Sequence, residues 1–126
     1  MAKFVNDLVM DAALAAAGPV GSRMTICKAQ PVNFADVATQ SLMAPVVVVI
    51  TGPSAGSPSG RQNLMPALAD EDVINAATPT QANHVALDDG STNLLVVTTI
   101  ANAQDVQDGE TMNLTTWTHT VLDPNP

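Results

Sequence analysis

The chain has 126 residues, four of them basic and twelve acidic, for a formal charge of −8. That length fits one domain and can bury a core without staples. Four scattered cations (Lys3, Arg23, Lys28, Arg61) cannot neutralise a run of phosphates, so nucleic acid is excluded as a partner, and the same charge disfavours an anionic membrane surface.

Hydrophobic residues make up 46% of the chain, with 15 Val and 13 Thr against two Phe, one Trp and no Tyr. Val and Thr are stiff at χ1 and favour pleated surfaces, so the composition predicts a β-rich fold whose core is built from small β-branched side chains, with Trp117 as its one large aromatic. A single cysteine, Cys27, allows no intramolecular disulfide. No stretch reaches the ~18 apolar residues of a membrane span, and the start of the chain lacks the charged, apolar and cleavage regions of a signal peptide. Synthesis in a reducing cytoplasm is the expectation.

In chain order, 4–17 reads as a helix. Phe4, Leu8, Ala12 and Ala15 recur at three- and four-residue steps beside Val5, Val9 and Ala13; Asp7 and Asp11 favour its N-terminal end, and Gly18-Pro19 stops it. Its apolar stripe is expected to pack on the domain or on a neighbouring subunit. Residues 22–30 alternate as a strand, with Met24, Ile26 and Lys28 on one face and Thr25, Cys27 and Ala29 on the other. Asn33 can cap one helical turn after Pro31. Val46-Val-Val-Val-Ile-Thr51 is apolar on both faces and predicts a covered, central strand, and 52–60 (Gly-Pro-Ser-Ala-Gly-Ser-Pro-Ser-Gly) an exposed loop. Residues 61–68 and 71–77 read as two edge-type strands around Ala69-Asp70, weakened by Pro66.

Asn83–Leu87 and Asn93–Ile100 flank Asp88-Asp-Gly-Ser-Thr, which predicts a hairpin. A second hairpin is expected around Gln107-Asp-Gly-Glu110, returning through 111–122. Met112 and Leu114 alternate one step out of phase with Trp117, His119 and Val121, so a β-bulge is expected at Thr115-Thr116. The reading is a single domain, 1–126: an N-terminal helical segment 1–19, a β domain 20–122 and an extended tail 123–126. Its fold class is mainly β, an antiparallel β-sandwich or partly open barrel of about seven short strands with one N-terminal α-helix.

The chemistry of catalysis is sparse. His84 and His119 carry no nucleophile signature and read as ordinary strand residues; Cys27 reads as a small core side chain. No catalytic, cofactor-binding or metal-binding residue is assigned, and no cofactor is implied. One Cys and two distant His do not make a zinc site, and no glycine-rich loop joins a strand to a helix. Asp70-Glu-Asp72 and Asp88-Asp89 are oxygen-rich, yet the calcium-loop pattern is absent and Asp89-Gly90 is accounted for by its turn. With three aromatics, a carbohydrate-stacking platform is disfavoured. What remains is a non-enzymatic module that presents surface.

Several segments together carry a resemblance: Asn6–Leu14, Arg23–Pro31 with Ala35 to Ala38 following, Ala82–Gly90, Leu95–Thr99, and Trp117 to Asp123-Pro124. In this order they resemble the head decoration, or capsid cement, proteins that tailed bacteriophages encode beside the major capsid protein. The resemblance spans nearly the whole chain in short pieces, and 61–72, with Pro66 and Asp70-Glu-Asp72, departs from it. It implies a virion protein on the outer capsid surface, bound to the major capsid protein, a homo-oligomer with a trimer favoured at local three-fold positions, and no active site. Both chain ends, the helix and the Asp123–Pro126 tail, are then expected to be held by neighbouring subunits. Another virion component (neck, tail or fibre-associated) and a small-ligand or cation binding module are the alternatives.

Overall fold

A computed structural model describes residues 7–56 and 60–121, apart from the side chain of Asn102. Within these residues the chain forms two helices and nine strands: α1 (Asp7–Ala16), β1 (Arg23–Cys27), α2 (Phe34–Gln40), β2 (Val46–Val47), β3 (Thr51–Ala55), β4 (Arg61–Met65), β5 (Leu68–Asp72), β6 (Thr80–Asp88), β7 (Leu94–Val106), β8 (Thr111–Leu114) and β9 (Trp117–Val121). They make three antiparallel sheets, in the orders β2-β1-β6-β7, β3-β4-β9 and β5-β8. The fold is mainly β and sandwich-like, without closure into a barrel. The expected ends, 1–6 and 122–126, lie outside the described residues, as do 57–59.

The main core lies between the four-stranded sheet and the other two. Met24, Ile26, Val85 and Leu87 of the larger sheet meet Met65, Leu68 and Met112 from the smaller ones, with Leu42, Met43 and Val73 between. The back of the larger sheet carries a second cluster, Cys27, Val37 and Ala86, which α2 covers. Both faces of β1 are therefore buried. The composition argument for a β-branched core is corrected here: Met10, Met24, Met43, Met65 and Met112 are all buried, while Val20, Val32, Val47 and Val49 are exposed. Short strands in three sheets leave irregular gaps, and an unbranched, flexible methionine fills such gaps better than valine.

Helix α1 closes one end of the sandwich. On β4, Arg61, Asn63 and Met65 share a face; Met65 enters the core, while the other two hold the helix. Arg61 Nε donates to Asp11 Oδ1 at 2.7 Å, and the buried Asn63 Nδ2 donates at 2.9 Å to the Leu14 carbonyl, which also accepts the Ala17 N–H at 3.2 Å. After the helix, Gly18 passes so close to Ile50 that a Cβ would lie 2.9 Å from Ile50 Cδ1. The helix presents Met10 and Leu14 to the domain rather than the expected Leu8, Ala12 and Ala15, because these polar anchors set its rotation. Asn33 caps α2 as expected: its Oδ1 accepts from Asp36 N–H at 2.9 Å, and Asp36 Oδ2 accepts in turn from Val32 N–H at 3.0 Å.

Five further expectations are corrected. Val46–Thr51 is no central strand. Only Val46–Val47 pair, with Met24 and Arg23 at the margin of the larger sheet, and the chain then crosses to begin β3. Residues 52–55 are not loop; with Thr51 they form β3 and pair with β4 through a register shift, where Gly52 takes φ +130 and a Cβ would lie 2.9 Å from the Gln62 carbonyl oxygen. β4 and β5 are not a pair: β4 is central between β3 and β9, and β5 pairs with β8. The second hairpin does not form, since the far end of β7 pairs with 80–82 and the 107–110 turn crosses instead to Ala76, whose N–H donates to Asp108 Oδ1 at 2.9 Å. The phase change at Thr115-Thr116 marks the point where the chain leaves one small sheet for the other, a sandwich corner rather than a bulge.

The first hairpin forms as expected between β6 and β7. Asp89 organises its turn: Oδ1 accepts N–H bonds from Ser91, Thr92 and Asn93 at 2.9 to 3.0 Å, and Gly90 supplies φ +79.

Candidate interaction surface

The residues singled out for chemistry are dispersed or occupied. His84 lies on β6 and His119 on β9, in different sheets. His119 stands opposite Asn63, and His84 Nδ1 lies 2.7 Å from Asn83 Oδ1. The register does bring His84 opposite Cys27, a neighbourhood that sequence spacing could not reveal. The thiol is nonetheless not poised to react. It is buried, lies 3.7 Å from the Thr25 carbonyl oxygen, and is pushed up to about 12 by burial first, then by the nearby charges of Asp36 and Asp88. A thiolate is the nucleophilic form, and here it is disfavoured.

The acidic clusters have structural partners. Asp88, fully buried, is held by Arg23 Nε at 2.9 Å and accepts the Gly90 N–H at 2.8 Å. The Arg23 guanidinium also lies over the Phe34 ring, 5.5 Å from its centroid. The Asp89 carboxyl is held well below the usual carboxylate range by the turn N–H groups of Asn93, Ser91 and Thr92. Asp70, Glu71 and Asp72 join Asp108 and Glu110 around the 107–110 turn: Asp72 pairs with Thr111, and Val73 N–H donates to the Glu110 carbonyl. No group of three or more ligating side chains suited to a metal ion occurs among the described residues. That end of the molecule is a negative surface. The two arginines are committed to Asp88 and Asp11.

Two surfaces remain. The first is apolar and exposed. Val47 and Val49 are 67% and 84% exposed on the open margin where the chain passes from the larger sheet to β3, and Val20 projects from the turn before Ser22, whose carbonyl accepts the Val48 N–H. A shallow groove of about 380 Å³ lies nearby, lined by Phe34, Ala38, Ala44, Pro45 and Ile74. An open sheet margin with exposed valines is a surface that natural proteins cover or use. The residue types gave no sign of it, because a run of four valines has the signature of a buried strand.

The second is a cleft of about 450 Å³ where the three sheets meet. Ile26, Val85, Met112 and Leu114 contribute apolar surface, Thr98, Thr99, Thr115, Thr116 and Thr118 contribute hydroxyls, and Trp117 closes it. The Trp117 indole N–H is buried without a hydrogen-bond partner. Among the described residues, no charged one lines the cleft.

No family model, curated protein or solved structure matches the chain.

Proposed function

We propose that this chain is a structural protein of a tailed-phage virion that binds the outer surface of the assembled capsid and stabilises it. The observation that carries the reading is the exposed valine margin at Val47 and Val49, in a small acidic domain whose His, Cys and carboxylate side chains are spread apart or engaged in structure. The assignment to a capsid, with the major capsid protein as partner and a trimer as the assembly, rests on the sequence resemblance. A decoration protein needs what this chain offers: a stable domain, apolar surface for a neighbour, and enough net charge to stay apart from its own copies until a shell presents its sites. It requires no catalytic residue.

The test is to mix purified protein with undecorated capsids and image the particles. Density at regular positions on the outer shell is the expected result. Absence of binding at saturating concentration removes the reading. Ring or fibre symmetry in place of shell positions points to a neck, tail or fibre component.

A further inference from the structure

The cleft lies at the β7 side of the larger sheet: Ile26, Val85 and Thr98, one row across that sheet, form its floor, and its walls run along strand margins. Alternate residues line a cavity that lies on a sheet face, whereas consecutive residues line one that runs beside a strand. Here residues 98–101 line one wall without a gap, and 112–118 line the other. Each wall is open on that side. Among the described residues, β7 is terminal in the larger sheet and pairs with β6 alone, β8 pairs with β5 alone, β9 pairs with β4 alone, and Thr115-Thr116 belong to no strand. The β7 wall also departs from its partner: His84 pairs with Thr99 and Ala82 with Gln104, so four residues of β7 stand opposite one of β6. Such a bulge re-aims backbone groups and ends regular pairing.

From this geometry we infer that the cleft is an acceptor groove for an extended peptide arm of a partner protein, which adds as a strand beside β7 and seats apolar side chains against the half-buried Ile100, Leu114 and Trp117. Three features define the arm. Its backbone pairs with the open strand margins, the mode that gives affinity in strand addition. Its middle is uncharged, because no described charged residue lines the groove, and one of its acceptor groups receives the unpartnered Trp117 N–H. One end is basic: Gln104 and Met112 line the groove, and beside them lie Asp105, Glu110 and the carboxylates of the 107–110 turn. An arm antiparallel to β7, as every strand pair here is, brings its N-terminal end to that negative surface. The inference rests on the proposed function only for the owner of the arm, a neighbouring subunit of the virion.

The test uses the purified full chain and a fluorescein-labelled peptide, Lys-Lys-Thr-Val-Thr-Val, capped at both ends. Its control is N-methylated at alternate amides, which blocks strand pairing and keeps charge and side chains. Polarisation should show saturable binding of the first peptide and at least tenfold weaker binding of the second. With unlabelled peptide, emission of Trp117, the single tryptophan, should shift to the blue as water is displaced. Trp117→Phe, which keeps an aromatic ring and loses the N–H, should weaken binding about fivefold, in keeping with one hydrogen bond. Thr116→Pro, outside the strands, should also weaken it, with circular dichroism and melting confirming that both variants fold. Equal binding of the two peptides, or no binding of either, overturns the inference. Both outcomes leave the capsid-binding measurement untouched, since shells can be decorated through the valine margin alone.

Discussion

Asn63 on β4 reaches the carbonyl of Leu14 at the end of α1, at 2.9 Å and out of contact with solvent. One side-chain amide thus joins the helix to a sheet formed nearly fifty residues later in the chain. Replacing it removes the shorter of two hydrogen bonds to a buried carbonyl, which keeps the Ala17 N–H, a loss of about 0.5–1.5 kcal/mol. Asn63→Ala should lower the denaturant midpoint accordingly and loosen α1 first, seen as faster amide exchange in 10–17 than in β1 or β6.

Arg23 and Asp88 form the second tie, across β1 and β6 at the mouth of the first hairpin. Asp88 is fully buried, so removing Arg23 strands its charge, whereas the partly exposed Arg23 can turn to solvent when Asp88 is removed. Arg23→Ala should cost about 3–5 kcal/mol, and Asp88→Ala less. The double change to apolar residues of similar size should recover much of that loss, and chemical denaturation of the four proteins measures the coupling.

The turn carboxylate of Asp89 gives a pH dependence. Its folded-state pKa is depressed by the N–H groups of the turn, so its contribution is fully present above the ordinary carboxylate pKa of about 4 and is lost as pH falls towards the folded value. The stability difference between wild type and Asp89→Ala should be constant at neutral pH and shrink below pH 4. Denaturant midpoints across that range measure it.

Cys27 should resist modification. Burial and neighbouring carboxylates push its thiol up to about 12, so the folded protein at pH 8 should react with a thiol reagent orders of magnitude more slowly than the unfolded chain. Rapid labelling of the folded protein would contradict the packing around Val37 and Ala86.

Val47 and Val49 separate folding from assembly. Both are largely exposed, so Val47→Lys with Val49→Lys should leave stability within about 0.5 kcal/mol of wild type. The same protein should fail to bind capsids, which co-sedimentation with shells reports.

Local signals were legible in the sequence where their cause is local. The stop at Gly18-Pro19, the Asn33 cap, the alternation of β1 and the Asp89-Gly90 turn each depend on neighbours within a few positions, and each is present. Pairing was not legible, because alternation says that a strand exists without saying beside what. Thr115-Thr116 shows this well: the break in phase was visible, but whether it bends one strand or moves the chain between sheets depends on β4 and β5. Val46–Thr51 misled for a related reason. Four valines at a sheet margin and four in a sheet centre have the same composition. The cleft lay beyond reach altogether, since its walls come from strands that never pair with each other.

The pairing order also has a temporal side. β4 and β5 emerge from the ribosome long before β9 and β8, their partners on the open side, and the hairpin of β6 and β7 can form in the interval. A nascent chain that ends before residue 111 therefore leaves β4 without its β9 neighbour and β5 without its β8 partner. Such a chain invites the wrong neighbour. In a cell making many copies at once, residues 111–121 decide whether each copy becomes a closed unit or a point of aggregation.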